Sequence, residues 1–172
     1  DGMEAELDTR AVGLVPDATF PNGCQICELE VDPETGAVEI LRYADVDEFG
    51  RVLNPMIVEG QVHGGIAQGV GQALMEDCRY DPESGQLLGA SFMDYAIPRA
   101  DDLPNFVTAT SETLCTTNPL GIKGAGGAGT IGALAAVMNA LMDAVAPLGL
   151  KHIDMPATPE NVWRALRDAR QA

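Results

Sequence analysis

Thirteen residues, Leu120–Gly132, read LGIKGAGGAGTIG: six glycines, one charge at Lys123, and an apolar helix-like run directly after. Glycines just before a helix leave free N–H groups at its positive pole, which favours an anion or an electron-rich oxygen. Inside the stretch, GAGGAG at 124–129 has the G-x-G-x-x-G spacing of dinucleotide loops. That fingerprint needs a full apolar strand before it, and only Leu120 and Ile122 precede this one. No acidic residue stands about twenty positions on at the end of a second strand. Lys123 comes before the loop rather than after it, so the phosphate-loop pattern fails too. Three readings stay open here: a nucleotide or small-ligand loop, an anion-binding helix start, and a tight packing loop without a ligand.

Other residues that could do chemistry are few. Cys24 and Cys27 in GCQICELEV have redox spacing, but residues three apart in a strand point to opposite faces. No second pair completes a zinc site, and the four cysteines read as structural thiols in a reducing, cytoplasmic setting. His63 lies two positions from Gln61 on a helical pattern, where the two side chains diverge, so it reads as a packing or solvent-facing residue. Glu112 sits on a strand-like run, with nothing to carry it to the glycine loop.

The elements that would position these groups follow from pattern and punctuation. CQICELEVD and AVEILRYADVD flank the turn PETG, a hairpin signal. MIVEGQVHGGIAQGVGQALMEDCRY has apolar residues at three- and four-residue steps, hence a helix, yet it holds Gly60, Gly64, Gly65, Gly69 and Gly71. Each glycine costs about 0.5–1 kcal/mol against alanine in a helix interior. Close approach of another backbone or of a flat ligand would justify them, so this helix is expected to be buried. DPESGQ reads as a turn, LLGASFMDYAIP as a strand and NFVTATSETL as another. After the glycine loop, Ile131, Leu134, Val137, Met138, Leu141, Met142 and Val145 form an apolar helical stripe. PLGLKHIDM is expected to add a short strand, and Thr158 with Pro159 to start an amphipathic last helix. The order predicts an α+β (mixed α/β) fold: a hairpin and mixed sheet packed with a glycine-rich buried helix, a second apolar helix and a C-terminal amphipathic helix.

With 172 residues the chain has room for one domain with a proper core, expected over 19–172, after an N-terminal segment 1–18 of uncertain structure. The net charge of −16 argues against nucleic acid as a partner, since a phosphate backbone needs a basic footprint. An anionic cofactor would be held by backbone N–H groups. No membrane span is expected, because no apolar run of about eighteen residues looks uninterrupted, and no secretory signal is read at the start.

Five stretches, in this order, resemble the C-terminal part of the large subunit of molybdenum hydroxylases, the xanthine dehydrogenase, aldehyde oxidase and carbon monoxide dehydrogenase family. They are FPNGCQICELEVDPETGAVEILRY, GRVLNPMIVEGQVHGGIAQGVGQALME, SFMDYAIPRADDLP, NPLGIKGAGGAGTIGA and GLKHIDMPATPENVW. The resemblance implies the C-terminal sub-domain of a molybdenum-cofactor-binding domain. It implies a molybdenum–molybdopterin dinucleotide shared with the rest of the large subunit. The chemistry implied is oxidation of aldehydes, CO or N-heterocycles by metal-bound hydroxide, with hydride passing to a sulfido ligand. Implied partners are the remainder of the large subunit and iron–sulfur and FAD subunits. An isolated piece would expose an apolar face able to bind a partner or itself.

On the family pattern, Gln61 is implied to hydrogen-bond the cofactor, with Gly124, Ala125 and Gly126 beside it, and no residue here is implied to ligate the metal. The loop pattern is Gly-x-Lys-Gly-x-Gly-Glu-x-Gly, whose glutamate acts as the base. Aligned on Lys123, Gly124 and Gly126, that position is Gly127. The chain is therefore expected to be inactive alone and impaired as a catalyst. Two other readings stand beside this one: a structural or assembly module that kept the fold without the chemistry, and a small-ligand or nucleotide-binding domain.

Overall fold

The computed structural model describes residues 10–14 and 17–171; the other residues of the expected N-terminal segment, 1–9, 15 and 16, lie outside the described residues. The elements run β1 (Asn22–Val31), β2 (Val38–Glu48), α1 (Pro55–Leu74), β3 (Phe106–Ser111), α2 (Ala128–Val145) and α3 (Pro159–Ala169). They form a mixed three-stranded sheet of order β1-β2-β3, antiparallel between β1 and β2 and parallel between β2 and β3, with helices packed on one side. The α+β fold expected from the sequence is the one observed.

The hairpin turns where Asp32 accepts from Glu34 N at 2.9 Å and Thr35 Oγ1 at 2.7 Å, and Gly36 takes a positive φ of 75°. A bulge falls where the register shifts between Glu28 and Leu29. It leaves Leu41 and Arg42 both outside, so that Ile40, Tyr43, Asp45 and Asp47 all face inward. Asn54 caps α1, accepting from Ile57 N, with Pro55 at the first helical position, and Thr158 with Pro159 does the same for α3.

The core is built where α1 and α2 cross. Val62, Ile66, Val70 and Leu74 of α1 meet Ala133, Val137, Leu141 and Val145 of α2. The crossing is close because glycines make it so. A Cβ on Gly65 would lie 2.9 Å from Thr130 N, one on Gly69 2.5 Å from Ala133 Cβ, and one on Gly129 2.5 Å from Val62 O. α3 then closes the open end with Val162 and Leu166.

Several expectations are corrected. The segment read as a strand over LLGASFMDYAIP forms bends and turns apart from one bridge, Tyr80 to Leu87. Ser91 holds it: its Oγ accepts from Met93 N at 3.3 Å, and its carbonyl accepts from Asp94 N and Tyr95 N. Residues 150–155 also form no strand; Ile153 is drawn into the core and Leu150 packs against it. The buried row of α2 is Gly129, Ala133, Val137, Leu141 and Val145, whereas Ile131, which led the expected stripe, is 77% exposed. Among the described residues one helix reaches membrane-spanning length, although Asn139 and Asp143 interrupt its apolar run as expected. Residues 128–148 are long and apolar enough by length and composition, and that apolarity serves the contacts of α2 with α1 and β1.

Candidate functional site

The glycine loop hangs between two anchors. On one side Ile122 bridges to Gly50, and Lys123 N donates to Phe49 O at 2.8 Å. On the other side α2 begins at Ala128, with Gly127 as its cap residue and no side-chain cap. Gln61 on α1 reaches across, its Nε2 donating to Gly126 O at 2.9 Å. Two of the segments singled out in the sequence thus meet in space. Among the described residues, no carbonyl accepts from the amides of Gly124, Ala125, Gly126 or Gly127. They are free donors at the positive end of α2.

The five glycines of α1 divide into two groups. Gly65 and Gly69 serve the crossing with α2, and Gly71 lies against Glu76 and Pro98. Gly60 and Gly64, on the exposed side next to Gln61, meet nothing within 4 Å. Gly124 and Gly126 are equally open. Four bare backbone positions therefore surround the Gln61–Gly126 hydrogen bond, with no packing among the described residues that requires them. In α1 the two open glycines cost about 1–2 kcal/mol together against alanine. The surface they leave lets a flat group lie at backbone distance, beside free N–H donors and the Gln61 amide. Ala125 differs: its side chain packs against the core, so it offers backbone only.

Lys123 does not face this surface. Its ammonium pairs with Glu48, and both side chains are nearly buried, at 11% and 8% exposure. Glu48 also accepts from Gly50 N at 2.5 Å, Thr113 N at 3.2 Å and Asn22 Nδ2 at 3.3 Å. Burial pushes the Glu48 carboxyl up, but these donors outweigh it and hold it below the usual range. The pair ties the end of β2, the segment after β3 and the glycine loop to one point. A second tie is Gln25, whose Nε2 donates to Gly129 O at 3.2 Å while its Oε1 accepts from Tyr43 Oη at 2.6 Å. Gly132 leaves room for it, since a Cβ there would lie 2.6 Å from Gln25 Cδ.

Behind the loop, a groove of about 560 Å³ runs between β1 and α2, with Gly126, Gly127, Ile131, Gln25 and Asp47 among its walls. Asp47 and Asp45 are each 2% exposed on the inner face of β2. Both Asp45 oxygens and Asp47 Oδ2 are buried without a hydrogen-bond donor. Burial first, and the neighbouring Asp47 second, push the Asp45 carboxyl up to about 7, and burial raises Asp47 as well. Two carboxyls buried on the same side of one strand are costly to ionise together, which favours one proton held between them.

His63 packs as expected, its ring edge-on to Phe106 at 5.4 Å, with Nε2 4.0 Å from Glu59 Oε1. Glu112 lies just past β3, exposed, and takes no part. Cys24 and Cys27 are free and on opposite faces; burial pushes the Cys27 thiol up to about 11. Gly127 has φ −111° and only Ile131 Cδ1 near its Cβ position, at 3.7 Å. Glycine is not required there by backbone or space. Sequence reasoning missed Gln25, Glu48 and the Asp45–Asp47 pair. The alternation in YADVDE carries the signal for the last, once the bulge fixes which side is in.

Residues 4–104, more than half of the chain, match the model of the molybdopterin cofactor-binding domain. The chain belongs to this family. It is 34% identical over 167 residues to the carbon monoxide dehydrogenase large chain of Hydrogenophaga pseudoflava, covering 97% of the chain and 21% of that protein. It is 43% identical over 166 residues to the nicotine 6-hydroxylase large subunit of Paenarthrobacter nicotinovorans, covering 96% and 20%. The fold superimposes on the CO dehydrogenase of Oligotropha carboxidovorans with a TM-score of 0.85 at 37% identity, over 90% of this chain and 19% of that one. The chain thus corresponds to part of a molybdenum hydroxylase large subunit, and it spans about a fifth of the length of the curated relatives it matches.

Proposed function

We propose that this chain supplies one wall of a molybdenum hydroxylase site. Gln61 and the backbone of Gly124, Ala125 and Gly126 would hold the pterin dinucleotide. The observation that carries this reading is the open surface of Gly60, Gly64, Gly124 and Gly126 around the Gln61–Gly126 hydrogen bond, which fits a flat heterocycle. The bound cofactor supplies two-electron oxidation chemistry. This chain's residues orient it: the Gln61 amide faces a heterocycle edge, the loop amides face oxygen atoms, and the Lys123–Glu48 pair fixes the loop that carries them. Substrates in this reading are aldehydes, CO or N-heterocycles, oxidised in the cytoplasm, with the electrons passing to iron–sulfur and FAD subunits.

A second reading, an assembly module that kept the fold and lost the chemistry, is favoured by one observation: Gly127 stands where the family pattern has its glutamate. The test is cofactor loading. Gly64→Val puts a branched side chain on the open surface without touching the core. In the assembled subunit it is expected to lower molybdenum and pterin content at least about fivefold, the worth of about 1 kcal/mol. Unchanged content would refute the assignment of this surface, and nucleotide binding by the chain without pterin would point to a nucleotide domain instead.

A further inference from the structure

The three helices leave one side of the sheet uncovered, and the residues there are not those of a solvent face. Reading across the strands, Cys24, Val46 and Ala109 form one row, and Ile26, Ala44 and Val107 the next. Ile26 is 65% exposed, Val46 48% and Val107 69%. A sheet face that meets water is ordinarily polar; here the uncovered face is apolar at its centre. The band is bounded at one end by the loop that carries the Lys123–Glu48 pair, and at the other by the exposed pair Arg42–Glu28 at 3.5 Å. Beyond that pair, Glu30 lies directly opposite Glu39, both exposed. Like charges placed opposite each other across two strands are destabilising unless a cation arrives between them.

We infer that this face is the seat of the rest of the molybdenum-binding large subunit, through a layer with an apolar centre and a basic residue over Glu30 and Glu39. The inference rests on the reading that the chain is part of such a subunit. Its relatives are about five times as long, so roughly four-fifths of the subunit is available to cover the face. A sheet buried on both sides is a three-layer arrangement, and the described residues supply one covering layer. A second copy fits poorly, because it brings the same acidic pair and another net charge of −16 to the contact.

Cys24 sits in the first row and reports on the face directly. The subunit is isolated in native form from its own source. Alkylation of Cys24 by a small maleimide is timed by peptide mass spectrometry, before and after unfolding in urea, alongside molybdenum content. The expected result is molybdenum-bearing material in which native Cys24 reacts at least tenfold more slowly than after unfolding. Val107→Glu, at the other corner of the band, is expected to raise the native rate at least tenfold. Molybdenum-bearing material with native Cys24 reacting at the unfolded rate overturns the face assignment alone. Material with neither molybdenum nor further large-subunit sequence overturns the functional reading and this inference with it. A bare dimer of this chain with Cys24 protected assigns the face to a second copy and overturns it too.

Discussion

Asp45→Asn tests the electrostatics of the interior. Asp45 and Asp47 lie two residues apart on one strand, each 2% exposed, with three oxygens lacking donors. Burial, then the Asp47 charge, raise the Asp45 carboxyl from 3.8 to about 7 in the folded chain. A raised folded value means that the unfolded state gives up its proton first. The stability from this group is therefore fully present below about pH 4 and is lost as pH rises through 7. A shift of this size corresponds to about 4 kcal/mol, and groove water beside Asp47 relieves part of it, leaving ~2–4 kcal/mol. Asp32, Asp81 and Glu48 are shifted the other way, so their contribution is lost only as pH falls below the usual carboxylate range. The window from pH 5 to 8 isolates the acid pair from them. Urea unfolding followed by circular dichroism is expected to show the parent chain losing about 1–3 kcal/mol across that window. The asparagine side chain of the variant is neutral, and its amide can donate to Asp47. The variant is expected to be nearly flat with pH and more stable than the parent at pH 8. Parallel curves for the two proteins would refute a shared proton at this site.

Glycine replacements on α1 should split by position. Gly60→Ala and Gly64→Ala are expected to stabilise the chain by about 0.5–1 kcal/mol each, whereas Gly69→Ala, whose Cβ would meet Ala133 Cβ at 2.5 Å, should cost about 1–3 kcal/mol in the same urea assay. Lys123→Met leaves Glu48 buried without its cation and is expected to cost about 3–5 kcal/mol; Lys123→Met with Glu48→Gln should recover much of it. Gly127→Glu fits the backbone and the space, so its stability should stay within about 1 kcal/mol of the parent. In an assembled, molybdenum-loaded complex it is expected to raise dye-linked substrate oxidation by about 10²–10⁴.

The sequence made the frame legible where local chemistry decides structure. Asp32 to Gly36 fixed the hairpin, Asn54–Pro55 and Thr158–Pro159 fixed two helix starts, and the spacing of Val62, Ile66 and Val70 fixed the buried row of α1. It misled where tertiary contact decides. Residues 87–98 have strand-like composition, but among the described residues their pairing stops at Leu88 N donating to Arg79 O, and Phe92 and Met93 stay 82% and 93% exposed. On α2 the helical spacing of Ile131 with Leu134 and Met138 suggested burial, while the close crossing with α1 selected Gly129 and Ala133 instead. The loop was singled out by its glycines and Gln61 by resemblance, and their hydrogen bond spans 65 residues that no local pattern bridges. The acid pair depended on a bulge at Leu41, which the sequence does not announce.

Whether this chain forms one wall of a molybdopterin site is decided by native mass spectrometry of the protein purified from its own source. A heavy assembly that contains this sequence with further subunit mass, and loses a molybdopterin-sized component on collisional heating, is the expected outcome. A bare chain near 18 kDa, or a simple multiple of it with no cofactor mass, would contradict it.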